Sequence, residues 1–384
     1  MTSRCIGLAL SGGGYRALVF HLGVLARLAS GNLLEEVSFI STVSGGSLAA
    51  ALIYAANDYR WPSSQTYLST VVPEIRRFLP KHNLAWEIKR QLFTNPWAWL
   101  RRGGNKLARV LSSQWGIQTS IQTVPDHPRW IINATCYETF MNWRFMTRRM
   151  GDHDFGYVMK PDIQLAQAVA ASAAHPMIGP ITMDTTQYHW EQYLPGSTTE
   201  TYVITPKYEK LLLWDGAVYD NLGVEALTKP GTKLRHGVDF LIVSDASAPI
   251  RLPRYWLSYP SAKRLYDITA RQVNALRTRI VMDFLVTEPT KGRYLKLGNR
   301  AGYILKNAGK AHEIEHLQPQ TLSADEIKRI RSVDALDTRI TADKFHLLFR
   351  HGYEIANLTL YAHGSDRDGF EFKGYLQSGL RPIA

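Results

Sequence analysis

Within its first 56 residues the chain alternates twice between an apolar run and a segment with helical spacing. CIGLAL at 5–10 reads as a short buried strand and SGGG as the loop that leaves it. Residues 15–29 then place Leu18, Leu22, Leu25 and Leu28 on one helical side. VSFISTV at 37–43 reads as a second strand, with a helix expected from about Gly46. Strand, helix, strand, helix in so short a stretch predicts an α/β fold with a mostly parallel central sheet flanked by helices.

Later segments extend this plan. RWIINATCYET at 129–139 carries strand signals, and 162–174 reads as a helix that stops at Pro176. KLLLWDGAVYDNLGVEAL at 210–227 reads as strand, turn and helix, and VDFLIVSDAS at 238–247 as another buried strand. Residues 57–115, rich in proline, tryptophan and basic side chains, break the rhythm and read as an inserted helical cap. The expected organisation is a core over 1–250 that includes this cap. A mixed, mostly helical part over 251–384, with helices at 271–285 and 344–362, packs on the same domain.

Composition limits the function classes. With 384 residues, 45% of them hydrophobic and 20% charged, the chain can bury a large core. The longest apolar run, 48–56, has nine residues, against roughly 18 to 20 for a bilayer span. Gly12, Gly13, Gly14 and Arg16 interrupt the apolar start before a signal-peptide pattern develops, so a cytoplasmic start is expected. Cys5 and Cys136 lie in strand-like segments and read as core thiols rather than a disulfide framework or zinc site. The sequons at Asn133 and Asn357 would matter only in a secreted protein.

The net charge of +12 is concentrated. Between 76 and 109 stand nine basic residues, among them Arg76, Arg77, Arg101, Arg102 and Arg109, against the single acidic Glu87. Trp86, Trp97 and Trp99 lie in the same stretch, with Trp61 and Trp115 flanking it. Basic residues mixed with amphipathic aromatics suit an anionic membrane surface. A nucleic acid is the competing and less expected partner, and a solvated basic face over aromatic core residues is the plain structural alternative.

Three turns carry chemistry. SGGGYR at the end of the first strand presents consecutive backbone amides at a helix start, which suits an anion or a developing oxyanion. TVSGGS places Ser44 on a strand-to-helix elbow, followed by the small Gly45 and Gly46. WDGA ends an apolar strand on Asp215, a candidate base for the serine.

In this order and at these strand ends, the motifs resemble the patatin-like phospholipase family, and SGGGYRA is similar to the catalytic domains of cytosolic phospholipases A2. The resemblance runs from about residue 6 to 247. It implies Ser44 as nucleophile and Asp215 as its partner in a dyad without histidine. It further implies oxyanion-hole amides from Gly12, Gly13 and Gly14, supplemented by Gly45, and an Arg16 that binds substrate phosphate or orders the loop. AASAAHPMIGP at 170–180 is similar to the family's helix and proline turn that line the site. The implied activity is hydrolysis of fatty-acyl esters, of phospholipase A or lysophospholipase type, peripheral at the inner membrane surface and with no cofactor or metal.

Rival readings remain at this stage. His21 or His175 could serve as the general base. HEIEH places His312, Glu313 and His316 in the H-E-x-x-H zinc pattern, although Pro319 leaves little room for the helix that pattern needs. A regulated membrane- or nucleic-acid-binding protein with little hydrolase activity is the alternative function. Asp245 reads as a turn residue near the same sheet edge, and GDHDFG at 151–156 as a hairpin tip.

Overall fold

The computed structural model describes residues 4–94, 103–229, 233–247, 262–334, 337, 339–364 and 370–375. Its core is one large sheet. Strands β1 (Ile6–Leu10), β2 (Val37–Thr42) and β3 (Arg129–Cys136) are followed by β4 (Asn142–Phe145), β5 (Arg149–Asp152), β6 (Gly156–Met159) and β7 (Ile181–Asp184). Then come β8 (Trp190–Tyr193), β9 (Thr201–Ile204), β10 (Lys210–Asp215) and a separate two-stranded ribbon, β11 (Thr228–Lys229) with β12 (Lys233–Leu234). β13 (Phe240–Asp245) and β14 (Gly292–Lys296) complete the set.

The centre of the sheet is parallel, in the order β14, β13, β1, β2, β3. β1 and β13 are buried along their whole length, as expected for strands covered on both faces. Helices α1 (Gly14–Ala29) and α2 (Gly45–Ala55) follow β1 and β2 directly, so the mostly parallel α/β reading of the opening segment stands. Beyond β3 the sheet continues antiparallel through β4, β5, β6, β8 and β9. These strands are mostly four residues long, too short for alternation to mark them. The GDHDFG tip does join β5 to β6, and the Asp152 carboxylate accepts the Asp154 and Phe155 amides at 2.9 and 2.8 Å.

The register at β3 sets up everything that follows. β2 runs parallel to β3 and ends with Thr42 opposite Ile132. β10 runs antiparallel to β3 and ends with Asp215 opposite Ala134. Because β4 occupies the other edge at both Ile132 and Ala134, β2 and β10 share one flank of β3 and meet end to end. Two residues of strand, about 7 Å, separate the two ends. Two motifs about 170 residues apart in sequence are thereby brought together.

The C-terminal part is bound into this core. β14 forms the sheet edge beside β13, a five-residue strand not foreseen in the sequence. The helix Ala342–Ala362 packs along α1, where the buried Arg27 donates to the Asn357 side chain at 2.7 Å and to the Glu371 carbonyl at 2.6 Å. A buried guanidinium is tolerable only when bonded in this way. Asn357 and Asn133 are 2% and 1% exposed, so neither sequon is accessible for glycosylation. Cys136 is buried and Cys5 partly so, both as free thiols.

Candidate active site

Ser44 occupies a strained elbow. Its backbone sits at φ 51°, ψ −114°, a region that costs a non-glycine residue on the order of 1–3 kcal/mol. Several bonds hold it there: the Val43 amide to the Leu10 carbonyl at 3.1 Å, the Gly46 amide to the Val43 carbonyl at 2.8 Å, and the Ser44 amide to the Ser172 hydroxyl at 3.0 Å. Thr42 stands in this elbow as an anchor, accepting from Trp130 Nε1 at 2.9 Å and from the Ser47 hydroxyl at 2.8 Å.

The two glycines after Ser44 are required by contact. A Cβ on Gly45 would lie 2.1 Å from the Gly14 carbonyl oxygen, and one on Gly46 2.3 Å from that of Leu10. Both obstacles are backbone, so neither can turn aside. Gly45→Ala is expected to destabilise the protein by about 3 kcal/mol or more, since the overpacking is against main chain. A urea melt in which the variant keeps the wild-type midpoint would refute this account of the elbow.

Asp215 faces the serine from the end of β10. It is 1% exposed. The Ala217 amide donates to its carboxylate at 2.8 Å, and the Ser44 hydroxyl faces the same carboxylate. Burial pushes its pKa up to about 7, against the lowering effect of those two donors. Its backbone is fixed by the Asp215 amide to the Ala174 carbonyl at 3.0 Å, the Gly216 amide to the Ser172 carbonyl at 3.2 Å and the Thr135 hydroxyl to the Asp215 carbonyl at 2.9 Å. Ser172 is therefore a bridge: its hydroxyl holds the serine elbow and its carbonyl holds the aspartate turn. The quoted segment at 170–180 contained it, but only the fold reveals the double contact.

The glycine loop divides its labour. Gly13 has φ 143° and Gly14 φ 62°, conformations that glycine adopts without penalty. The amides of Gly13, Gly14 and Gly45 have no acceptor among the described residues. Gly12 departs from the expectation of a third loop donor, because its amide is spent on the Asn221 carbonyl at 3.0 Å. Its contribution is space, since a Cβ there would lie 2.4 Å from the Asn221 amide oxygen and 3.2 Å from Ser44 Cβ. Arg16 is 1% exposed and donates to the carbonyls of Ala246 at 2.7 Å and Val333 at 3.2 Å. Of the two roles implied for it, this is the geometry of loop ordering.

These groups open into a cleft of ≈ 260 Å³. Leu84 and Leu107, from the cap helices Leu84–Thr94 and Gly103–Ser113, join Leu48 and Ile178 in its apolar wall. Two residues of the 57–115 segment thus reach the cleft. Trp115 is buried and donates to Glu87 at 3.2 Å, whereas Trp86 is 56% exposed with the Arg90 guanidinium 5.5 Å from its ring centre. Trp97, Trp99, Arg101 and Arg102 lie outside the described residues.

The histidine rivals separate. His21 is fully buried, with Nδ1 2.8 Å from the Ser244 hydroxyl and Nε2 2.9 Å from the Ser11 carbonyl, and burial lowers its pKa to about 4. It is a neutral core residue. His175 does line the cleft, with Nδ1 accepting the Met177 amide at 3.2 Å. HEIEH is split between a 3-10 turn, Ala311–Glu313, and a single helical turn, Ile314–Leu317. Glu313 accepts the Tyr361 hydroxyl at 2.5 Å. The two imidazoles therefore lack the one continuous helix that the zinc pattern requires.

Asp245 is more than a turn residue. Burial pushes its pKa up, but Lys296 at 3.1 Å, the Ser247 amide at 2.8 Å and the Tyr294 hydroxyl outweigh that and hold it below the usual carboxylate range. The segment after Asp215 also ends sooner than its sequence suggests. Helix Ala217–Asp220 makes one turn, because the Asp220 carboxylate captures the Leu222 and Glu225 amides.

Compared with curated protein sequences, the chain has no match. Among solved structures it is similar to human GIVD cytosolic phospholipase A2 in complex with methyl gamma-linolenyl fluorophosphonate, at 14% identity and a TM-score of 0.47, over 94% of this chain and 59% of that one. The same human protein with that inhibitor and terbium chloride gives 14% identity and a TM-score of 0.49, over 94% and 58%. The chain spans less than two thirds of the length of either. The family model for patatin-like phospholipases matches residues 8–228, a stretch that holds the glycine loop, the serine elbow and the aspartate turn. With more than half of its length so matched, this chain belongs to the patatin-like phospholipase family.

Proposed function

We propose that the protein is a lipid acyl hydrolase that cleaves fatty-acyl esters through Ser44 and Asp215. The observation that carries the reading is the Ser44 hydroxyl beside a buried carboxylate whose pKa burial pushes up to about 7. A base near neutrality accepts a proton at physiological pH and gives it up again. Ser44 Oγ attacks the ester carbonyl as its proton passes to Asp215. The carbonyl oxygen becomes an oxyanion, met by the Gly13, Gly14 and Gly45 amides and the positive end of α2. Each such donor is worth about 2.7 to 4 kcal/mol in the transition state. Collapse of the intermediate expels the alcohol, which takes the proton from Asp215. Water then attacks the acyl-serine, giving its proton to Asp215, and collapse of this second intermediate releases the fatty acid as Ser44 Oγ takes that proton back. His175 is less suited as base, because its Nδ1 already accepts the Met177 amide.

The reading includes a membrane surface as the place of action. Trp86, Met177 and Leu265 are exposed apolar side chains on segments that also line the cleft through Leu84, Ile178 and Asp267. Among the described residues no helix is long and apolar enough to cross a membrane. Contact would be peripheral, aided by the basic stretch at 76–109.

Labelling with a fluorophosphonate probe, followed by peptide mapping, should place the adduct on Ser44, and an unlabelled Ser44 in folded protein would sink the proposal. The pH profile is a second check. Since Asp215 must be ionised, kcat/KM should rise about tenfold per pH unit below about 7 and level off above it.

A further inference from the structure

The wall of the cleft opposite Leu48, Leu84 and Leu107 is polar, and it is made largely by one helix. Asp267, Ala270, Arg271 and Asn274 of the helix Ala262–Thr287 all line the cleft. Their spacing of i, i+3, i+4, i+7 is that of a single helical face. The sequence reading had begun this helix later and gave it no part in the site.

The chain of contacts from the catalytic centre to this face is continuous. Gly12 lies against Ser44 and bonds to the Asn221 carbonyl. The Asn221 amide donates to the Ser247 hydroxyl at 2.8 Å, and the Asn274 amide donates to the same oxygen at 3.3 Å. Two donors occupy both lone pairs of that hydroxyl, and its proton is turned toward the Asp245 carboxylate. Asn274 Oδ1 is buried without a hydrogen-bond partner. An unsatisfied buried acceptor is costly, and a ligand group that donates to it would remove that cost.

Beyond Asn274 the face continues to Arg271 and then to Asp267, one turn further on, about 6 Å along the helix axis. Reading outward from Ser44, the cleft presents an ester site, a neutral hydrogen-bonding pair, a cation and an anion. A glycerophospholipid with a zwitterionic headgroup presents the complement in the same order: acyl ester, glycerol oxygens, phosphate, ammonium. A guanidinium has five donors and a carboxylate about four acceptor positions, so a single protein partner does not exhaust either group.

We propose that Ser247, Asn274, Arg271 and Asp267 form a headgroup subsite selective for zwitterionic phospholipids. It rests on the acyl-hydrolase reading above and adds the substrate class. Arg271 takes the phosphate and Asp267 the ammonium, with the Asn274 side chain, held by Ser247, beside the glycerol, while the acyl chain lies on the apolar wall.

The test compares phosphatidylethanolamine with phosphatidylglycerol of identical acyl composition. Each is held at the same low mole fraction in neutral detergent micelles, so that surface charge does not attract the basic protein. Wild type should favour the zwitterionic lipid in kcat/KM by about tenfold, and Asp267→Asn should bring the ratio close to one. Arg271→Gln should raise KM for both lipids, since both carry phosphate. Thermal melting establishes that each variant is folded. A wild type without preference, or a folded Asp267→Asn with an unchanged ratio, overturns the subsite. Wild type that cleaves p-nitrophenyl butyrate but neither lipid also overturns the subsite and leaves the esterase standing. Failure on p-nitrophenyl butyrate as well brings down the hydrolase reading, and the subsite with it.

Discussion

Ser44→Ala is expected to lower the release of fatty acid from phospholipid vesicles by about 10⁴-fold or more, the scale on which removal of a catalytic nucleophile acts. The substitution removes one oxygen and leaves the elbow's backbone bonds to Leu10, Val43 and Ser172 in place. Its melting temperature should stay within a few degrees of wild type, because the substitution removes a single hydroxyl. Mass spectrometry of the released acid and lysolipid reads the loss directly. Undiminished release by the folded variant would assign any hydrolysis to another group.

Asp215→Asn has two expected effects of opposite sign. Activity falls by a similar factor, because an amide cannot accept the serine proton. Stability, by contrast, rises at alkaline pH. The folded-state pKa of about 7 lies above the unfolded value of 3.8. Between those values the native state holds a proton that the unfolded chain has released. Wild-type stability is therefore fully present below about pH 4, declines as pH rises toward about 7, and stays reduced above it. That interval corresponds to on the order of 4 kcal/mol. Asparagine carries no charge to bury and can still accept the Ala217 amide, so the variant escapes the decline. Urea midpoints should favour the variant at pH 8 and converge with wild type near pH 4. A wild type whose midpoint does not fall across that window would mean that Asp215 is not held as described.

Much of the site was legible because its parts are local. A positive-φ elbow needs small residues on its far side, and Gly45 and Gly46 announced that at Ser44. A run of amides at a helix start needs glycine, and 12–14 supplied it. The buried strands of the parallel centre showed as continuous apolar runs, whereas β4 to β9 are short and β14 is an edge strand, so neither pattern nor length set them apart. Arg16 and Gly12 illustrate a different limit. Their residue types suited the roles implied for them, but a guanidinium or an amide has only so many directions, and the carbonyls of Ala246, Val333 and Asn221 had already claimed them.

By itself, the sequence determined the α/β class at the N-terminus and singled out Ser44 and Asp215 as candidates, together with a stretch rich in basic and aromatic residues. Each of these follows from chemistry within a dozen neighbouring positions. Only the tertiary structure decided that β2 and β10 meet end to end on one flank of β3, that Ser172 ties the two catalytic turns together, and that a helix from the C-terminal part supplies the polar wall. Those arrangements depend on strand register and on contacts between residues far apart in the chain. Local periodicity carries no record of either.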